Sequence, residues 1–313
     1  MGTAELSSVL NFRGALRRAR EILETNDSLV KKGLVSTEAE QLVLAAYRRI
    51  SGAALSRIRI FTDPELGYPS NAMRQLEDWC RARAQGALLQ HLIGYQVFLD
   101  HEYAVGPGVL VPRPETEALV LKAIEVLRSG TGLPGTGIEI GLGSGVISVE
   151  LLCAFPGLRM LASEFSAEAE SYGRKNAENV LGNEWAKRLE ILRAPESSSI
   201  YGVFLGKLRS PADFMISNPP YVAYDDEIDD DVLKSEPHAA LFPGPFVEPL
   251  YFYRGIAEGA MRLLKPEGWV FLEIPHERAG PIGELFTNNG WAANIFTDLT
   301  GRDRVLAARR KGI

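Results

Sequence analysis

One predicted strand runs into an asparagine, two prolines and a tyrosine, a combination suited to holding a reacting group. The run Asp213–Ser217 has the character of a buried strand, and Asn218-Pro219-Pro220-Tyr221 follows it directly. Two prolines cannot continue a central strand, so the sheet must end there in a rigid loop. A plain strand end closed by prolines would explain Pro219 and Pro220, but it would require neither the asparagine nor the tyrosine.

This corner has the groups needed to hold a planar NH2 for alkylation. The nitrogen of such a group is a poor nucleophile because its lone pair is delocalised, so it must be aligned with its electrophile and kept dry. The Asn218 side-chain oxygen and the Pro219 carbonyl can both accept hydrogen bonds from one NH2, which favours the charge that develops during the reaction. We expect Tyr221 to stack on the flat group. The predicted catalytic residues are Asn218, Pro219 and Tyr221, and the predicted substrate-binding residues are Asn218, Pro219, Pro220 and Tyr221.

A glycine-rich turn lies where an earlier strand ends and a helix begins. Glu139 is followed by Gly141, Gly143 and Gly145 in the pattern E-x-G-x-G-x-G. Glycines there allow a tight turn and let a ligand approach the backbone closely. The fingerprint of dinucleotide-binding enzymes requires Gly or Ala where this chain has Val146, so a hydride-transferring enzyme is disfavoured.

An acidic residue, Glu164, ends the next predicted strand. A carboxylate at that place can accept two hydrogen bonds from a ribose diol. Each feature alone also has a plain interpretation, because a glycine turn can be purely structural and an acidic strand end is commonly solvated. The spacing of the glycine turn and Glu164 together favours a bound nucleoside.

Short apolar runs alternate with helical patterns from Gly137 onward. This alternation predicts an α/β fold, a mostly parallel sheet with helices on both faces, in which ligands bind beyond the carboxyl ends of the strands. The predicted strands are Gly137–Ile140, Leu158–Ser163, Leu189–Leu192, Asp213–Ser217, Trp269–Ile274 and Arg304–Ala308, and the predicted helices are Val146–Ala154, Ala167–Val180, Leu250–Leu264 and Gly280–Asn288.

The first part of the chain is typical of a small helical domain. One helix is predicted to open with a capping box at Thr37-Glu38-Ala39-Glu40 and to stop at Ser51-Gly52. Another is predicted over Ser70–Ala84, with Met73, Leu76, Trp79 and Cys80 facing inward.

A β-hairpin is predicted between Ile93 and Pro114, where β-branched and aromatic residues are separated by Gly and Pro. Thr116 is then a predicted N-cap for a helix over Ala118–Leu127. We therefore predict a helical domain at 1–90, a hairpin linker at 91–114 and an α/β domain at 115–313.

The composition limits the partners. A formal net charge of −6 provides no basic surplus for a phosphate backbone, so nucleic acid is not the expected partner. No stretch is apolar enough to span a bilayer and no leader precedes the helices, so a cytoplasmic location is expected. The two cysteines, Cys80 and Cys153, and the four histidines lack metal spacing, so no metal site is predicted and both cysteines are expected to be buried.

The motifs together resemble the HemK/PrmC family, the N5-glutamine methyltransferases of peptide chain release factors. The likeness covers nearly the whole chain. It is carried by the helical N-terminal part, by Leu89-Gln90-His91-Leu92-Ile93-Gly94, by Val111-Pro112-Arg113-Pro114-Glu115-Thr116-Glu117, by the glycine turn, by Asn218-Pro219-Pro220-Tyr221, and by Glu236-Pro237 with Ala240-Leu241.

The resemblance implies a class I methyltransferase (Rossmann-like) fold with a seven-stranded, mostly parallel sheet, and S-adenosylmethionine as the cofactor. It also implies that the helical domain recognises a release factor, whose glutamine side chain would enter the Asn218–Tyr221 pocket. The residues carried over as cofactor-binding are Glu139, Gly141, Gly143, Gly145, Glu164 and Asn218.

The chain departs from the family pattern at three places. Glu139 and Glu164 stand where the family usually has Asp, and Leu142 stands where it usually has a small or polar residue. After the third strand the chain reads Arg193-Ala194-Pro195-Glu196-Ser197, where the family places Asp near the adenine.

Two alternatives stay open beside methylation of a release factor, and a calcium site is disfavoured. The chain could methylate another amide or amine, on another protein or a small metabolite, or it could be a non-catalytic binding protein with the same fold. The acidic run 225–231 matches several ligand positions of an EF-hand calcium loop, but Asp230 stands where the turn needs Gly.

Overall fold

The computed structural model describes residues 11–130, 132–195, 200–223, 226, 228, 230–242 and 248–311. The chain divides into two units. The described residues up to Gly94, with residues 230–235, form the helical unit, and the described residues within Tyr95–Ile228 and from Glu236 onward form the sheet unit. Within the described ranges, no helix is both long and apolar enough to cross a membrane.

The helical unit packs around a core of buried apolar side chains that includes Phe12, Leu42 and Leu76. The inward set predicted for the Ser70–Ala84 helix is confirmed, since Leu76, Trp79 and Cys80 are buried and Met73 packs against them. The helices of this unit are α1 (Phe12–Leu23), α2 (Asp27–Lys31), α3 (Val35–Ser51), α4 (Arg57–Thr62), α5 (Ser70–Ala84), α6 (Leu89–Ile93) and α10 (Asp230–Ser235).

The capping box predicted at Thr37 is wrong, because α3 begins two residues earlier and makes no side-chain cap. Glu38 instead forms a buried ion pair with Arg83 of α5, with N–O distances of 2.6 and 3.0 Å. The ion pair with Arg83, and not a capping contact, is therefore the role of Glu38. The predicted stop is confirmed, since Gly52 closes α3 in the left-handed region with φ of 71°.

The predicted hairpin is confirmed in the sheet unit, where β1 (Tyr95–Phe98) pairs antiparallel with β2 (His101–Ala104). Leu99, in its turn, has φ of 48°, which is costly for a side chain other than glycine. The Leu99 amide donates to the Glu117 carboxylate at 3.0 Å. The hairpin turn is therefore held against the following helix.

The helices and the remaining strands of the sheet unit follow the alternation read from the sequence, and most predicted bounds lie within two residues of the observed ones. The helices are α7 (Pro114–Arg128), α8 (Val146–Ala154), α9 (Ala167–Leu181), α11 (His238–Leu241), α12 (Tyr251–Leu263) and α13 (Ala279–Asn288), and the strands are β3 (Thr136–Ile140), β4 (Arg159–Glu164), β5 (Leu189–Arg193), β6 (Ala212–Ser217), β7 (Leu264–Glu273), β8 (Trp291–Thr297) and β9 (Asp303–Arg310).

Seven strands form one sheet in the order β5-β4-β3-β6-β7-β9-β8. Neighbouring strands from β5 to β7 are parallel, and β9 is antiparallel to both β7 and β8. The predicted seven-stranded, mostly parallel sheet is confirmed. Because β4, β3 and β6 are consecutive and parallel, the residues that follow them meet at one edge.

The helix after the hairpin begins earlier than predicted. It starts at Pro114, whose fixed φ suits a first helical position, and its N-cap is Arg113. Thr116 is therefore not the cap. It lies inside α7, is 3% exposed, and donates its hydroxyl proton to Glu273 at 2.6 Å.

Gly137, the second residue of β3, has no room for a side chain. A Cβ added there would lie 2.3 Å from Cζ of Phe214 and 2.5 Å from Sδ of Met160. Overpacking of this kind costs about 1–3 kcal/mol, so we expect Gly137→Ala to lower the urea midpoint clearly. The matched control is Gly157→Ala, where a Cβ meets nothing within 4 Å. Equal midpoints for the two variants would contradict this packing.

Candidate active site

The glycine turn folds as predicted at the end of β3. Gly141, Gly143 and Gly145 have φ of 78°, 56° and 85°, a region that side chains rarely adopt. The amides of Gly141 and Leu142 donate to the Ser163 carbonyl at 3.1 and 2.9 Å, which ties the turn to β4. A Cβ on Gly141 or Gly143 would meet nothing within 4 Å. The turn therefore borders open space of the kind that a ligand can occupy.

Glu139, next to this turn, is a fully buried acid with one unused oxygen. Its Oε2 accepts from the Ser148 amide at 3.1 Å and from the Ser148 hydroxyl. Oε1 is buried without a hydrogen-bond partner. Burial raises the pKa of Glu139 to about 8, against the lowering effect of Ser148. A cationic donor at Oε1 would satisfy this oxygen and favour the charged form.

Glu164 ends β4 and braces the glycine turn. Its Oε2 accepts from the Gly143 amide at 2.8 Å, and its Oε1 accepts from the amides of Phe165 and Ser166, each at 2.8 Å. A carboxylate can accept about four hydrogen bonds, so room for about one further donor is left. The acid predicted to bind a ribose thus also orders the loop that borders the open space.

Asn218 begins the proline corner at the end of β6. The strand is fixed to β3 by the Ser217 hydroxyl, which donates to the Ile140 carbonyl at 2.7 Å. Asn218 is half-buried, and its Nδ2 donates to the Thr116 hydroxyl at 3.1 Å. No hydrogen bond engages Oδ1 within the described part of the chain. Asn218 therefore presents a free acceptor.

The strand register places this acceptor beside the glycine turn. Glu139 of β3 is opposite Ile216 of β6, and Gly141 and Asn218 each lie two residues further on. Neighbouring strands are about 4.8 Å apart. The structure thus brings the two predicted motifs to adjacent positions on the same sheet edge.

The rest of the corner is packed into the sheet unit. Pro219 is buried, and Pro220 and Tyr221 are half-buried. Tyr221 packs against the apolar cluster under the sheet, and its hydroxyl donates to Glu273 at a long 3.4 Å. Burial and the nearby Glu273 raise the pKa of the Tyr221 phenol. The phenol of Tyr221 is therefore neutral, and its hydroxyl is held by Glu273.

Glu273, which sequence analysis missed, is a buried acid at the end of β7. It is 1% exposed and accepts from both Thr116 and Tyr221. Burial raises its pKa to about 7, while Thr116 and the positive charge of Arg304 lower it. The sequence feature that could have identified Glu273 is that it is the one acid in the otherwise apolar run Trp269–Ile274.

Two further residues singled out by the resemblance meet here. Arg113 donates to Glu236 at 2.6 Å, and the Val111 amide donates to the same carboxylate at 3.2 Å. Glu236 is 4% exposed, and burial raises its pKa although Arg113 opposes the rise. The segment before α7 is therefore tied to the segment that follows the proline corner.

After β5, where the sequence departs from the family pattern, Arg193 forms hydrogen bonds with neighbouring protein groups. Its Nε donates to Glu170 at 2.7 Å and its Nη1 donates to the Phe165 carbonyl at 3.1 Å. Glu196 and Ser197 lie outside the described residues. So do Asp225, Glu227 and Asp229 of the acidic run, whereas Asp226 pairs with Arg278 at 2.7 Å.

A second polar cluster lies between β2 and α8, which the sequence did not indicate. His101 and Tyr103 contact one oxygen of Glu150 at 2.9 and 2.7 Å. The possible ligand atoms of His101, Glu150 and Cys153 lie within 4.8 Å of one another. Cys153 is exposed, so the expectation of burial is wrong for it and confirmed for Cys80. The helix face that carries Cys153 points outward, which an isolated cysteine cannot reveal.

Comparison with known proteins finds relatives that share one name, release factor glutamine methyltransferase. The release factor glutamine methyltransferase of Nitratidesulfovibrio vulgaris is 31% identical over 310 residues, which cover 97% of this chain and 97% of that protein. Its counterpart in Bacteroides thetaiotaomicron is 32% identical over 240 residues, which cover 76% of this chain and 81% of that protein. No protein-family model matches the sequence.

Among solved structures, the methyltransferase from Pyrococcus furiosus superposes with a TM-score of 0.50 and 21% identity. The match covers 69% of this chain and 92% of that one. The predicted methyltransferase fold is thereby confirmed.

Proposed function

The chain belongs to the release factor glutamine methyltransferase family, and we propose that it methylates the side-chain amide nitrogen of a glutamine in a peptide chain release factor. One observation supports this function above the others. The free Oδ1 of Asn218 lies at the sheet edge that also carries the glycine turn, so an acceptor for an amide NH2 adjoins the open space beside Gly141 and Gly143.

The residues at the turn fit S-adenosylmethionine, the methyl donor expected for a methyltransferase. The unpaired Oε1 of Glu139 suits the ammonium of the donor's amino acid part. The space beside Gly141 and Gly143 admits its body, and the remaining capacity of Glu164 suits a ribose hydroxyl. When bound, the donor supplies an electrophilic methyl on a sulfonium.

The protein's own residues orient the acceptor nitrogen. In our proposal, Asn218 Oδ1 and the Pro219 carbonyl accept the two N–H groups of the glutamine amide and so aim its nitrogen at the methyl. A nitrogen–carbon bond forms as the sulfur–carbon bond breaks and the sulfur keeps the electron pair. The nitrogen then loses a proton to solvent, so no strong base is required.

The direct test uses methyl-labelled S-adenosylmethionine and a purified bacterial release factor. We expect the label on one glutamine side chain, identified by peptide mass spectrometry, and no label when that glutamine is replaced by leucine. Label on a different residue type would refute glutamine methylation. Absence of cofactor binding by calorimetry would instead support the non-catalytic alternative.

We further propose that the helical unit recognises the release factor, as the family resemblance implies, and that the sheet unit carries out the transfer. Exchange of amide hydrogens in the full chain, with and without the release factor, would locate the recognition surface. We also propose a cytoplasmic site of action, where release factors work.

Cofactor binding is expected to release a proton. Because the pKa of Glu139 is about 8 in the free protein, this acid is mostly protonated at pH 7 and must ionise to pair with the ammonium. Calorimetry at pH 7 in buffers of different ionisation enthalpy should report about one proton released per bound cofactor. The affinity should accordingly rise with pH between about 6 and 7.5.

The control for this linkage is Glu139→Gln, which keeps the shape but cannot ionise. It should bind the cofactor more weakly and release no proton at that step. Buffer-independent binding heats for the unmodified chain would show that Glu139 does not meet the ammonium.

A further inference from the structure

A chain of three hydrogen-bonded side chains stands behind the acceptor of the proposed reaction. Asn218 Nδ2 donates to the Thr116 hydroxyl at 3.1 Å, and that hydroxyl donates to Glu273 at 2.6 Å. Thr116 is 3% exposed and Glu273 is 1% exposed. These hydrogen bonds join α7, the end of β6 and the end of β7, which come together only in the folded sheet.

The buried carboxylate of Glu273 determines the donor-to-acceptor direction of these hydrogen bonds. An ionised carboxylate only accepts, so the single hydroxyl proton of Thr116 must point to Glu273. The lone pairs of Thr116 then require a donor, which only the NH2 end of the Asn218 amide provides. The oxygen end of Asn218 is consequently turned away from Thr116.

We propose that Thr116 and Glu273 are positioning residues that keep the Asn218 oxygen, rather than its NH2, facing the target nitrogen. This inference rests on the proposed function. Without the pair, the Asn218 amide can rotate by half a turn and present two donors to an NH2 group, which cannot accept them. Such a complex places the target nitrogen wrongly for attack.

The surroundings of Glu273 hold its carboxylate in one orientation. The Tyr221 hydroxyl donates to the second carboxylate oxygen, and the buried Tyr253 donates to the Glu273 main-chain carbonyl at 3.0 Å. The charged groups that act on it are Arg304 of β9, which favours ionisation, and Glu115 of α7, which opposes it. Because the pKa of Glu273 is raised to about 7, the orienting form is complete above this pH and is lost below it.

The test compares Thr116→Val with Thr116→Ser at saturating cofactor, using labelled S-adenosylmethionine and the release factor. Valine removes the hydroxyl at nearly constant volume, whereas serine retains it. We expect kcat to fall by about 10- to 100-fold in Thr116→Val and to stay within about threefold in Thr116→Ser. The cofactor Kd of both variants should remain close to that of the unmodified chain. Tm should be retained in Thr116→Ser and should fall in Thr116→Val, because valine leaves a buried oxygen of Glu273 without its donor.

The pH dependence of kcat distinguishes orientation of the Asn218 amide by Thr116 and Glu273 from a purely structural role of the pair. In the unmodified chain kcat should decrease as the pH falls through about 7, the pKa of Glu273. In Thr116→Val, and in the neutral isostere Glu273→Gln, this decrease should disappear because Asn218 is no longer coupled to an ionisable group. An undiminished kcat in Thr116→Val, or an unchanged acid limb in both variants, would overturn the inference.

Failure of the inference differs from failure of the proposed function. If the unmodified chain labels no glutamine, the function itself is refuted. If it labels glutamine and Thr116→Val does so equally fast, only the role of Thr116 and Glu273 is refuted.

Discussion

Replacing Asn218 with alanine is expected to lower kcat for methyl transfer by at least about 100-fold, the effect of removing one well-placed polar group from a developing charge. The substitution removes the free Oδ1 at the sheet edge, and the Pro219 carbonyl alone cannot fix the plane of an amide. Asn218 is half-buried, and among the described residues its side chain makes one hydrogen bond, to Thr116. The cost to Tm should therefore be small.

The measurement is kcat at saturating cofactor, with Tm and the cofactor Kd recorded on the same preparation. The matched control is Asn294→Ala, since Asn294 is an exposed asparagine on β8. It should leave all three quantities unchanged. Turnover by Asn218→Ala within about threefold of the unmodified chain would show that its oxygen does not orient the target.

Replacing Gly143 with valine is expected to weaken cofactor binding by at least about 100-fold, because the side chain would project into the space assigned to the cofactor. A Cβ there meets no protein atom within 4 Å, so the loss would arise from the ligand. The φ of 56° also strains a side chain, by about 1–2 kcal/mol. That strain must be separated from blockage of the space.

Gly301→Val provides the separation, since Gly301 has φ of 83° and its Cβ also meets nothing within 4 Å. Both variants should lose comparable stability in urea unfolding. Only Gly143→Val should lose affinity in calorimetry with S-adenosylmethionine. Equal cofactor affinities in the two variants would place the cofactor elsewhere.

Local patterns predicted the sheet and both motifs because each depends on residues close in sequence. The glycine turn needs positive φ at Gly141, Gly143 and Gly145, and the proline corner stops β6 by itself. The edge strand β8 was missed because Trp291–Thr297 mixes alanine and asparagine with apolar residues and pairs only with β9. Its identity as a strand depends on a neighbour rather than on its own pattern.

The support behind the site could not be predicted, because it depends on contacts that are distant in sequence. Thr116 and Glu273 are 157 residues apart, and only the sheet order places them together. The protonation of Glu139 has the same origin. Its carboxyl is visible in the sequence, but the raised pKa results from complete burial with a single oxygen bonded to Ser148.

A crystal structure with S-adenosylhomocysteine and a glutamine-containing release factor peptide would test the central claim most directly. The account predicts the target amide nitrogen within about 3.2 Å of both Asn218 Oδ1 and the Pro219 carbonyl oxygen, with Asn218 Nδ2 still on Thr116 and the nitrogen facing the sulfur. A peptide whose glutamine lies outside this corner, or an Asn218 amide turned the other way, would contradict it.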